Sequence, residues 1–180
     1  LVGSEMCIRD SHYTILPRFV KRTDRGLFVP FERSEEWMSN SPLVTYTKLS
    51  PNHSGRRNHV IDTVSIHCMA GNASVETCGA LFADPTRKAS SNYGIGSDGR
   101  IALYVDEANR SWCTSNAAND HRAITIEVAN NGGAPDWPVS DKAYAALLDL
   151  LTDICRRNGI KKLLWKGDKS LIGQVEQQNM

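Results

Sequence analysis

Residues 123–129 read AITIEVA and residues 58–68 read NHVIDTVSIHC. The first stretch alternates, placing Ile124, Ile126 and Val128 on one face of a strand and Thr125 and Glu127 on the other. The second carries β-branched Val60, Ile61, Val64 and Ile66 between a polar Arg/Asn cluster and Met-Ala-Gly, which predicts a buried strand with His67 at its C-terminal end. Two such strands need a sheet around them, and the flanking sequence supplies its parts.

Ser74 is placed to cap a helix running to about Ala83, with Val75, Cys78, Leu81 and Phe82 on one face and Asp84-Pro85 closing it. Residues 93–105 (YGIGSDGRIALYV) read as two short strands around Ser97-Asp98-Gly99, because Asp-Gly readily supplies the positive φ of a tight turn. A long helix starts at Ser140, striped by Tyr144, Leu147, Leu148, Leu151, Ile154 and Cys155, and stops at Asn158-Gly159. Residues 163–165 suggest another strand and residues 169–178 a short helix or loop. The expected fold class is α/β, a mixed central sheet flanked by helices.

Composition narrows the function. Of 180 residues, 41% are apolar, enough for one domain to hold a core without disulfides or a structural metal. Twenty-one Lys+Arg against 20 Asp+Glu leave a net charge of +1, which is no footprint for nucleic acid or an anionic membrane. No apolar run nears the roughly 18 residues of a spanning helix, and the start lacks a signal-peptide pattern. Cys7, Cys68, Cys78, Cys113 and Cys155 form no C-x-x-C pair, so reduced thiols made in the cytoplasm are expected. Neither phosphate-binding glycine motif occurs, so nucleotide chemistry has no support.

Residues 1–11 (LVGSEMCIRDS) hold no period and resemble the in-frame translation of a transposon-type sequencing adapter. Residues 12–37 fit two readings, a translated leader before a start at Met38 or a loosely packed extension. Residues 1–37 are therefore set apart from a domain spanning 38–180.

Candidate chemistry sits at strand ends. His67 is placed for a metal ligand or an acid/base group, since α/β sheets bind ligands at the carboxyl ends of their strands, although a lone His is more often a hydrogen-bonded structural residue. Glu127, if buried, would have its pKa raised toward that of a general base, and if on an edge strand would face solvent. Trp112 lies in a polar loop, fit either to stack on a sugar or peptide or to cover the core. His53, His59 and His121 read as solvated loop residues.

Taken together, residues 65–71 (SIHCMAG), the helix after them, residues 90–101 (SSNYGIGSDGRI), Trp112 and residues 121–128 (HRAITIEV) resemble successive blocks of the type 2 N-acetylmuramoyl-L-alanine amidases. That zinc amidase fold is shared by phage endolysins, bacterial autolysins and peptidoglycan recognition proteins, and the resemblance covers residues 51–180. It implies His67 as a zinc ligand, Glu127 as the catalytic carboxylate, and Tyr93, Trp112, Asn116 and Arg122 along the substrate groove. The implied reaction is hydrolysis of the amide between N-acetylmuramic acid and L-alanine by zinc-activated water. A peptidoglycan-binding module without catalysis is the alternative within the same fold. The implied partner is bacterial peptidoglycan, met by a monomer made without a signal peptide, with no nucleic acid and no membrane insertion.

The resemblance also places a second His and a third ligand, Asp or Cys, after Met180. The domain is thus expected to be truncated at its C-terminal end, with two of three Zn2+ ligands missing and activity in doubt. Cys68 adjoins His67 and points to the opposite strand face, and the other histidines show no ligand spacing. The sequence thus offers one recognisable zinc ligand.

Overall fold

A computed structural model describes residues 6–9, 20–22, 28–30, 40–134 and 136–163. The alternating stretch forms strand β10 (Ala123–Val128), and the SIHC stretch ends strand β6 (Thr63–Cys68). The remaining strands are β1 (Met6–Arg9), β2 (Val20–Arg22), β3 (Phe28–Pro30), β4 (Tyr46–Thr47), β5 (His53–Arg56), β7 (Tyr93–Ile95), β8 (Ile101–Leu103) and β9 (Asn109–Ser111). The helices are α1 (Val75–Ala83), α2 (Ala117–Arg122) and α3 (Asp141–Asn158).

Six strands form one mixed sheet in the order β1-β6-β10-β7-β8-β4. β10 lies at its centre, parallel to both β6 and β7, while β7 and β8 form the antiparallel hairpin. The hairpin turns as the sequence dictates: Gly99 takes φ +85°, and the Gly96 amide donates to the Arg100 carbonyl at 3.0 Å. Gly94 has a different task, since a Cβ there would run into the ring of Tyr104. Tyr104 in turn anchors α1, its hydroxyl donating to the Val75 carbonyl at 2.8 Å.

Helices cover both faces. Ile124, Ile126 and Val128 pack with Val64, Tyr93, Ile95, Ile101 and Leu103 against Ala143, Leu150, Leu151 and Ile154 of α3. On the other face Val75, Cys78 and Phe82 of α1 close over Ala102 and Tyr104. Both helices start as expected: Ser74 accepts from the Thr77 amide and Ser140 from the Ala143 amide, each cap worth about 1 kcal/mol. Gly159, at φ +68°, ends α3. Among the described residues no helix is long and apolar enough to cross a membrane.

Several details differ from the sequence expectation. β6 begins at Thr63 rather than near Asn58, and Val60 is exposed, because Asp62 is drawn into pairing with Arg122. The buried stripe of α3 is rotated, leaving Tyr144 and Leu148 exposed, while Ala143 and Leu150 face the sheet. Leu81 of α1 is also exposed. His53 and His121, expected in loops, lie in β5 and α2. The backbone of Met6–Arg9, set apart by the sequence reading, pairs antiparallel with β6; an open sheet edge accepts any extended segment of suitable register. Leu163 is not in a strand, and the elements expected beyond it lie outside the described residues.

Candidate functional site

The register between β6 and β10 pairs His67 directly with Glu127. Neighbouring residues on parallel strands stand about 4.8 Å apart and point the same way, so the imidazole and carboxylate share one face at the carboxyl ends of both strands. This is the face opposite α3. Because β10 is central, the edge-strand alternative for Glu127 does not apply. Burial pushes the Glu127 carboxyl up to about 7, with Arg87 opposing weakly. Burial also holds His67 below the ordinary imidazole range, partly offset by the charge of Asp120, which favours the neutral ring that binds metals.

A third group joins them from a loop. A donor atom each of His67, Cys113 and Glu127 lie within 4.8 Å of one another. Cys113 follows β9, and its position is set by a buried carboxylate. Asp120, 2% exposed, accepts from the Cys113 amide at 3.2 Å, the Thr114 amide at 3.2 Å and the Thr114 hydroxyl at 2.8 Å. α2 carries Asp120, and Asn116 caps that helix by accepting from the amides of Ala118 and Asn119 at 3.1 Å each. Asn119 ties the helix to β6 by donating to Ser65 Oγ at 3.0 Å. Beneath the loop, Ser111 and Thr125 join hydroxyls at 2.7 Å, and three hydrogen bonds join Asn92 to Thr125. Arg57 closes the network, donating to the Asp120 carbonyl at 2.7 Å and to Asn92 Oδ1 at 3.0 Å. Its guanidinium, pulled down to about 10 by burial, stays charged at neutral pH.

This donor set fits zinc. Imidazole nitrogen, thiolate sulfur and carboxylate oxygen are the three protein ligand types zinc takes, at about 2.0–2.3 Å, so tetrahedral donors stand roughly 3.3–3.8 Å apart. His67 and Cys113 offer a nitrogen and a sulfur donor near that spacing with a Glu127 oxygen beside them, all within 4.8 Å of one another. The cluster places Cys113, which the sequence reading did not name as a site residue, beside His67 and Glu127. Cys113 carries no sequence signal, because nothing in its spacing to His67 marks a pair. Asn116 followed by two alanines is the one available sign of the short helix that places it.

The remaining expected site residues are dispersed. Trp112 lines an open cleft of about 270 Å³ with Lys88, Arg110, Ser115, Ala117 and Asp120. Its indole Nε1 donates to Ser54 Oγ at 2.7 Å, so it forms a wall of the cleft rather than a cover over the core. Tyr93 is wholly buried and has no groove to line; its hydroxyl donates to Glu107, which Arg157 clamps from the other side at 2.6 and 2.9 Å. Arg122, the last residue of α2 and just before β10, pairs with Asp62 and lies five residues, roughly 17 Å of chain, from Glu127. Asn116 acts on the site through α2, as its cap.

The described geometry is that of a two-sided α/β sheet with a His, Cys and Glu centre at the end of its middle strands. The sequence pattern of the N-acetylmuramoyl-L-alanine amidases matches residues 56–173, and the chain belongs to that family. The family acts on peptidoglycan and is in general zinc-dependent. Among solved structures, the chain is similar to a selenomethionine derivative of AmpD, at 18% identity over 70% of this chain and 80% of that one, with a TM-score of 0.51. It is also similar to a mutant endolysin from Bacillus subtilis (18% identity, 64% and 77% covered, TM-score 0.48). A third similar structure is the Drosophila peptidoglycan recognition protein SA (20% identity, 61% and 66% covered, TM-score 0.43). No curated protein matches the chain.

Proposed function

We propose that the chain is a peptidoglycan hydrolase that cuts the amide joining N-acetylmuramic acid to the L-alanine of the stem peptide. The observation that carries this reading is Glu127 held in register beside His67 on the central parallel strands, its carboxyl pushed up to about 7.

His67 would contribute to holding the zinc on which the family in general depends. Zinc at that position supplies Lewis acidity, which polarises an amide carbonyl and acidifies water. The protein's own work is proton transfer and positioning. A carboxyl that titrates near 7 takes a proton from water and returns it to the departing amine of L-alanine without a large mismatch in either direction, a role worth about 10²–10⁴ in rate. Trp112 gives the adjoining cleft an apolar wall for a sugar or peptide, and Lys88 and Arg110 give it positive charge for stem carboxylates. Tyr93 and Arg122 support the reaction only through the fold.

The test is incubation of the full chain with zinc and purified bacterial cell wall, with new amino termini identified chemically. Release of stems bearing free L-alanine amines is expected. Wall binding without any new amino terminus would replace the proposal with a recognition role, and new reducing sugar ends would place the cut in the glycan.

A further inference from the structure

Four described cysteines, Cys68, Cys78, Cys113 and Cys155, form no disulfide. Cys78 is buried on the inner face of α1, where burial pushes its thiol up to about 12, and Cys68 ends β6 one residue past His67. Only Cys113 among them has a carboxylate and an imidazole donor atom within 4.8 Å of its own.

From this arrangement we propose that Cys113 is a thiolate ligand of the same cation that His67 binds, leaving the Glu127 carboxylate beside it for proton transfer. The inference rests on the proposed function only in placing zinc at His67. Three features support it. The donors are a borderline imidazole and a soft sulfur, the pair that selects zinc over magnesium or calcium. The sulfur reaches the end of β6 from a separate loop, so the two ligands come from different elements and their separation is fixed by tertiary packing. That loop is held rigidly, since Asp120 accepts both the Cys113 and Thr114 amides and is itself 2% exposed. Such outer hydrogen bonds orient a ligand before the metal arrives. On binding, the thiol gives its proton to solvent, so zinc uptake by the full chain releases acid.

Cobalt makes the ligand visible, because a Co2+–thiolate bond gives a near-ultraviolet charge-transfer band that nitrogen and oxygen ligands do not. The full chain titrated with Co2+ should develop this band, Cys113→Ser should lose it, and Cys68→Ser should keep it. Zinc should slow alkylation of Cys113, read by mass spectrometry, without slowing that of Cys155. Cys113→Ser should weaken zinc binding by more than the roughly 10–100-fold that loss of an outer-sphere partner costs. Glu127→Gln should keep the band while losing stem release, which divides metal holding from proton transfer. Cobalt binding without the band, a band that survives Cys113→Ser, or no metal uptake at all each overturns the assignment. Stem release by Cys113→Ser at full zinc occupancy would sink this inference and leave the proposed function standing. A Cys113-dependent band in a chain that releases no stems would do the reverse.

Discussion

The two faces of the central strand pair are built from alternate residues of the same few positions, and they do opposite things. On the α3 side, Val64, Ile124, Ile126 and Val128 are buried among aliphatic side chains. On the other side, Ser65, His67, Thr125 and Glu127 meet a loop, a short helix and a buried polar network. The apolar face supplies stability that does not depend on the angle at which any one group sits. The polar face stabilises the fold less and places charge where burial changes its chemistry. One strand can do both because its side chains alternate at a period of two.

The sharpest way to separate the faces is at Glu127. Glu127→Gln is expected to lower stem release by about 10²–10⁴-fold, the usual contribution of a positioned acid or base. In the metal-free protein the same change should stabilise the fold, with a definite pH dependence. The folded carboxyl titrates at about 7 against an ordinary value of 4.5, so the fold favours its neutral form. The associated stability is fully present below about 4.5 and is lost as pH rises through about 7. Melting temperatures of the Glu127→Gln variant and its parent should therefore coincide near pH 4 and diverge, with the variant higher, near pH 8. An equal difference at both values would mean that Glu127 is not buried as described.

One residue earlier, on the dry face, Ile126→Ala should cost about 2–5 kcal/mol of unfolding free energy in urea. It leaves the carboxylate chemistry in place, so activity per folded molecule should hold. A smaller effect is expected at the loop. Asp120→Asn keeps the shape but weakens the charged acceptor of the Cys113 and Thr114 amides, at a cost of about 1–3 kcal/mol, and amide hydrogen exchange at those two residues should rise. Unchanged exchange there would remove Asp120 from the account of how the loop is held. The smallest effect is reserved for α3, where Leu148→Ala should stay within about 0.5 kcal/mol. Leu151→Ala, three positions on and buried, should match Ile126→Ala, and an equally large cost at Leu148 would restore the stripe expected from sequence.

Much of the frame is legible in the order of residues. Ile124, Ile126 and Val128 announce a strand by alternation, Gly99 announces the hairpin turn, and Ser74, Ser140 and Gly159 mark helix ends, because these are local energies expressed within a few residues. His67 and Glu127 stand out as candidates because each departs from its apolar strand. The α3 stripe misleads for a physical reason: Tyr144 and Leu148 satisfy helical spacing with Leu151 and Ile154 as well as Ala143 and Leu150 do, and only the sheet decides which of them are covered. Tyr93 misleads too, because an aromatic in a glycine-rich hairpin reads the same whether its ring faces a groove or the core.

Local pattern thus suffices for the α/β class, the two central strands, the caps and the pair of polar residues that break the apolar runs. All of these depend on interactions within one turn, one strand or one hairpin. Long-range packing is needed to pair His67 with Glu127 in register, to carry the carboxyl to about 7 by burial, and to bring Cys113 beside them from the loop after β9. Those outcomes depend on segments far apart in the chain, and no local energy encodes the distance between them.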